Sequence, residues 1–84
     1  IKKRKVMAIT IKYFGAIEEA TGLAEEIFSL DQFNSLEELK KSILSKYQGM
    51  NDLSFQLALN QSIATSGILK DGDEVAFLPP FAGG

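Results

Sequence analysis

The groups in this 84-residue chain that could do chemistry are few, and they gather at one end. There is no cysteine and no histidine. Thiol nucleophiles, imidazole bases, disulfides and the ligands of nearly every structural zinc site are thereby removed, and no metal site is expected. The adjacent pairs Glu18-Glu19, Glu25-Glu26 and Glu37-Glu38 diverge on a helix or a strand, so spacing alone makes none of them an acid/base dyad. They read as solvated surface. Asp71-Gly72-Asp73 lacks the further oxygen ligands of a calcium loop and reads as a turn. What is left is the terminal run Phe77-Leu78-Pro79-Pro80-Phe81-Ala82-Gly83-Gly84. Pro79 and Pro80 have no amide proton and a fixed φ, so they stop a sheet ladder and project a stiff arm that reaches about 20 Å. Phe81 can anchor that arm on an apolar partner surface. Gly83-Gly84 then presents a carboxylate on a backbone without side chains, fit for a tunnel that would exclude a Cβ. A free α-carboxylate is inert, but once adenylated it is an acyl donor open to a sulfur nucleophile. Gly-Gly by itself fits a frayed terminus equally well.

The scaffold behind this tail is legible in the periodicity of the chain. Val6–Phe14 alternates apolar and polar residues and is rich in β-branched and aromatic types, which predicts a half-buried strand. The alternation leaves open which of Tyr13 and Phe14 points outward. Ala16–Ala20 fits a helical turn stopped by Thr21-Gly22, and Ala24–Leu30 a second strand of unsettled register. Ser35 and Glu38 have the spacing of a capping box. Leu36, Leu39, Ile43, Leu44 and Tyr47 then form one apolar stripe, with Glu37, Lys40, Lys41 and Lys46 facing away and Gly49 ending the helix. Burying five such side chains is worth about 10 kcal/mol gross, comparable to the net stability of a small domain, so the stripe is core.

After a loop at 48–52, Phe55–Asn60 alternates again. Asn60-Gln61 suits a turn into a short strand around Ile63, Lys70–Asp73 is the next turn, and Glu74–Leu78 is the last strand. A helix-length crossover between strand pairs that share one sheet makes two of those strands parallel. The expected fold is α+β, a ubiquitin-like β-grasp with a mixed sheet on one main helix. Residues 1–6 read as a basic N-terminal extension, 7–78 as the β-grasp domain and 79–84 as the extended tail.

Length argues for one domain. The net charge of −2 hides an asymmetry: four of the nine cations are Lys2, Lys3, Arg4 and Lys5, which leaves five against eleven acids, a net of −6, for residues 6–84. An acidic body repels phosphate backbones, so no nucleic acid partner is expected. The basic arm has the composition of a nuclear-localisation or polyanion-binding patch, and also that of a solvated extension or expression remnant before Met7. No apolar run approaches the ~20 residues that span a bilayer, so no membrane association and a cytoplasmic location are expected.

Ile9-Thr10-Ile11-Lys12-Tyr13-Phe14, Ala58-Leu59-Asn60-Gln61 and the ending D-G-D-E-V-A-F-L-P-P-F-A-G-G together resemble the small, sulfur-carrier subunits of molybdopterin synthase. The likeness covers residues 7–84, and its most specific part is that ending. It implies a β-grasp fold and a terminal glycine, here Gly84, adenylated with ATP by a ubiquitin-activating-like enzyme and converted by a sulfur donor to a thiocarboxylate. It implies no bound cofactor. It further implies that the tail, Pro79 to Gly83, inserts into a large subunit that supplies the active-site lysine and arginine. There, sulfur passes to cyclic pyranopterin monophosphate, in a heterotetramer with a small subunit at each end of a large-subunit dimer. By the same matching Phe14, Ile63 and Leu78 fall where the family has an apolar patch used against both partners, and Phe81 comes next on the tail, bulkier than the aliphatic residue of the family. Without the resemblance those three side chains read equally as core. Alternative readings are a sulfur carrier for thiamine thiazole synthesis, against which Pro79-Pro80 argues, a ubiquitin-like modifier joined to lysines through Gly84, and an interaction module with an inert tail.

Overall fold

A computed structural model describes residues 7–80, so the basic extension and Phe81, Ala82, Gly83 and Gly84 lie outside the described residues. The first strand, β1 (Ala8–Tyr13), buries Ile9, Ile11 and Tyr13 on one face and turns Thr10 and Lys12 to the other. It stops at Tyr13 because Gly15 takes φ 58°, ψ −134°, a region that only glycine occupies at ease. The open choice between Tyr13 and Phe14 resolves there: Tyr13 is buried, and Phe14 is 43% exposed.

Helix α1 (Ala16–Thr21) tucks Ile17 into the core and ends on Gly22 in the left-handed conformation, whose N–H donates to the Glu18 carbonyl at 2.8 Å. Strand β2 (Glu25–Ser29) then runs antiparallel to β1, with Ile27 opposite Thr10. The long helix, α2 (Leu36–Lys46), starts where Ser35 Oγ accepts the Glu38 N–H at 3.2 Å. The Glu38 carboxylate returns to the N–H of Asn34, also at 3.2 Å, one residue earlier than in a standard capping box. Leu36, Leu39 and Ile43 are buried, whereas Leu44 and Tyr47 are half-buried at the flank of the stripe.

The helix ends at Lys46, before Gly49, and the expected loop 48–52 is a 3-10 turn that plugs Met50 into the core. Strands β3 (Gln56–Leu59) and β4 (Ser62–Ile63) are joined by Asn60 and Gln61, both at positive φ. Strand β5 (Glu74–Leu78) closes a five-stranded sheet of order β2-β1-β5-β3-β4. β1 and β5 are parallel, and the other pairs are antiparallel. This is the mixed sheet over one long helix of the ubiquitin-like β-grasp. No helix among the described residues is long and apolar enough to cross a membrane.

Candidate functional site

Strand parity builds the site. In β5, Val75 and Phe77 point into the core, so Glu74, Ala76 and Leu78 emerge on the sheet face opposite α2. Ala76 lies beside Ala58 of β3, and Ala58 beside Ile63 of β4. Two alanines in register leave a shallow groove whose walls are Phe14, Ile63 and Leu78, with Gln61 and Glu74 at its rim. The structure thus brings together the three apolar residues expected to form a patch. Ile63 is 53% exposed and Leu78 half-buried, so neither belongs to the core. A hydrophobic wall of this kind has little to gain from water and a favourable term on contact with an apolar partner.

The tail leaves from the same place. The Phe14 N–H donates to the Phe77 carbonyl at 3.2 Å, so the end of β1 holds the end of β5. Pro79 then lies over Gly15, where a Cβ would come within 2.9 Å of the proline ring. Pro79 and Pro80 are exposed, and their rings end the ladder as expected. The remaining tail positions, Phe81, Ala82, Gly83 and Gly84, lie outside the described residues, as does any contact they make.

One expectation is corrected. Glu26 is not solvated surface: its carboxylate accepts hydrogen bonds from the hydroxyls of Tyr13 and Tyr47, each at 2.7 Å, and from Lys46 Nζ at 2.9 Å. Lys46 therefore does not simply face away. Burial opposes ionisation of Glu26, but hydrogen bonds from Lys46, Tyr47 and Tyr13, with the Lys46 charge, outweigh it and hold the carboxyl below its ordinary range. Burial, followed by the Glu26 hydrogen bond, pushes the Tyr13 hydroxyl far above its usual range and raises Tyr47 in the same direction. The Glu26 bond raises Lys46. Spacing does not reveal this cluster, because its members come from three elements and meet only when β2 and the end of α2 pack over Tyr13. It ties the fold together on the helix side of the sheet, away from the groove.

No described side chain in the groove is a nucleophile or a general base poised for one. What the groove offers is an exposed apolar surface beside the point where the chain leaves β5. The ThiS family model matches residues 11–84. A molybdopterin synthase sulfur carrier subunit of Mycobacterium tuberculosis is 36% identical over 83 residues, covering 94% of this chain and 100% of the relative. Among solved structures, a complex of subunits 1 and 2 of molybdopterin-converting factor from Helicobacter pylori holds a chain with a TM-score of 0.68. It is 30% identical and covers 93% of this chain and 100% of that one. The small archaeal modifier protein 1 of Methanosarcina acetivorans superposes with a TM-score of 0.74 over 96% of this chain and 100% of its own, but at 22% identity, which speaks to the fold alone. By the extent of the family match and the identity to full-length relatives, this chain belongs to the ThiS family.

Proposed function

We propose that this chain is the sulfur carrier subunit of a molybdopterin synthase, with Gly84 as the reactive end and no catalysis by the isolated domain. The observation that carries the reading is the union of the D-G-D-E-V-A-F-L-P-P-F-A-G-G ending with an exposed apolar groove at the point where that ending leaves the sheet. The sulfur carrier subunits among its relatives and the two-subunit complex from Helicobacter pylori support it.

In this reading an activating partner of the ubiquitin-activating type binds the Phe14, Ile63 and Leu78 walls and draws in the tail. The Gly84 carboxylate attacks ATP there, pyrophosphate leaves, and a mixed anhydride with AMP remains. Hydrosulfide released by the donor then attacks the acyl carbon, the bond to AMP breaks and AMP leaves, and the terminus becomes a thiocarboxylate. The same walls next dock the large subunit, and Phe81 seats the arm while Gly83 and Gly84 reach the pterin precursor. Sulfur passes to cyclic pyranopterin monophosphate, and oxygen from water restores the carboxylate. ATP is thus consumed by the partner, and no cofactor resides in this chain. The cycle runs in the cytoplasm.

A single-turnover experiment tests the proposal. The chain is prepared as its thiocarboxylate, checked by intact mass, and mixed with large subunit and cyclic pyranopterin monophosphate. The expected result is return of the mass to carboxylate as molybdopterin appears, with a chain lacking Gly84 inactive and fully folded. Persistence of the thiocarboxylate where an authentic small subunit is consumed would remove the reading and point to another pathway or to protein conjugation.

A further inference from the structure

We propose that the large subunit docked on the Phe14, Ile63 and Leu78 groove continues over Ile63 into a second concavity and sets a carboxylate side chain against Lys40. The inference rests on the docking reading of the groove and adds the chemistry the partner must bring. The second concavity lies between α2 and the β3–β4 edge, lined by Lys40, Phe55, Gln56, Ile63, Ala64 and Thr65. Ile63 is the wall common to both depressions, so they form one surface with a ridge at its middle.

The electrostatics of that surface select the partner. Lys40 Nζ sits 5.7 Å from the centroid of the Phe55 ring, within cation–π range. Phe55 is itself held by the Phe77 ring, 5.3 Å away and tilted by 48°. Among the described residues Lys40 makes no ion pair. Glu37, one turn earlier on α2, is turned toward the Gly67 N–H at 3.3 Å, and Glu38 caps the helix start. On the other flank of the groove, by contrast, Lys12 is already neutralised by Glu74 at 3.5 Å.

An interface of ordinary size covers ~800 Å² on each partner, more than three side chains provide, so a body seated on Ile63 must extend beyond the groove. If it extends over the second concavity, it strips water from the Lys40 ammonium. A desolvated, unpaired cation is costly, and a carboxylate from the partner removes that cost. Of the lysines beside this surface Lys12 is already paired and Lys40 lines the concavity that shares Ile63, so an acidic side chain of the docked body finds its favourable position at Lys40 and fixes the docking register.

The test measures affinity of the full chain for purified large subunit by calorimetry at low and high salt, using Lys40→Met, Lys40→Glu and Ile63→Ala, with melting curves as a check on folding. Lys40→Met keeps the aliphatic stem and is expected to weaken binding about threefold with a shallower salt dependence, and Lys40→Glu about tenfold at low salt. Ile63→Ala is expected to weaken binding equally at both salts. Affinity for Lys40→Glu equal to or tighter than the parent, with Ile63→Ala weakened, overturns the carboxylate and leaves the groove reading standing. Parental affinity for both Lys40→Glu and Ile63→Ala overturns both. If Lys40→Glu does not fold, parental affinity and salt dependence of Lys40→Met overturn the inference alone.

Discussion

Tyr13 and Phe77 face each other across the parallel β1–β5 pair with ring centroids 5.6 Å apart, and the residue after each in the chain, Phe14 just past β1 and Leu78 at the end of β5, lies in the groove on the opposite sheet face. One register thus fixes both the core and the groove. A slip of one residue would exchange them, burying Phe14 and Leu78 and exposing the two rings. The tail can therefore leave the sheet only beside the apolar walls, because Phe77, the last core residue of β5, sets the parity of Leu78 and of the prolines after it.

Replacing Ile63 by Asp should separate folding from function. The side chain is 53% exposed on a short edge strand, so the variant is expected to melt within about 1 kcal/mol of the parent. The same carboxylate on a desolvated wall is expected to lower single-turnover sulfur transfer at least about tenfold at subsaturating large subunit. Calorimetric melting and the transfer assay on one preparation check the two halves. Loss of stability with unchanged transfer would return Ile63 to the core.

Glu26 makes the fold sensitive to acid. Its carboxyl is held below the ordinary 4.5, so at moderately acid pH the unfolded chain binds more protons than the folded one. The contribution is fully present above 4.5 and is lost as pH falls through the lower folded value. Glu26→Gln should flatten the stability profile below pH 4.5, measured by denaturant unfolding across pH. Glu26→Ala leaves the Tyr13 hydroxyl without its partner and is expected to cost about 2–3 kcal/mol, against about 1 kcal/mol for Tyr47→Phe.

The same network predicts an alkaline signature. The chain has two tyrosines, and both are raised above 10.0, Tyr13 by burial and then the Glu26 bond, Tyr47 for the same reasons. Ultraviolet titration of the folded protein should show no full phenolate step at the ordinary value, and both steps should appear there once the protein is unfolded in denaturant. A phenolate step of two tyrosines near pH 10 in the folded state would contradict the hydrogen bonding of Tyr13 and Tyr47 to Glu26.

The features readable from sequence and those hidden in it divide by range. The helix start is legible at Ser35 and Glu38 because capping is local. The strands show in alternation, and the parallel pair comes from a helix-length crossover. Phe14 against Tyr13 is not legible, because this sheet is apolar on both faces near its centre, and alternation between two large aromatics carries no sign. Met50 is hidden because a 3-10 turn has too short a period to show an apolar stripe. Glu26 is hidden because its partners lie 13 and 20 or 21 residues away. The groove itself depends on the resemblance, since a side chain that walls a partner site and one that fills a core are chemically the same.

The two prolines offer a test of the arm as a mechanical part. Pro79 and Pro80 are exposed, so replacing both with glycine should leave the melting temperature essentially unchanged. Each restricts the free chain by about 0.4–1 kcal/mol relative to a flexible residue, so their loss adds about 1–2 kcal/mol to the entropy cost of threading the tail into a partner. That corresponds to about a five- to thirtyfold rise in the half-saturating concentration of carrier, with the rate at saturation held, because Gly84 and the groove are untouched. A saturation series with thiocarboxylated carrier resolves the two parameters. An unchanged half-saturating concentration would show that the arm gains nothing from stiffness, and a fall in the saturated rate would show instead that the prolines aim the terminus rather than merely restrain it.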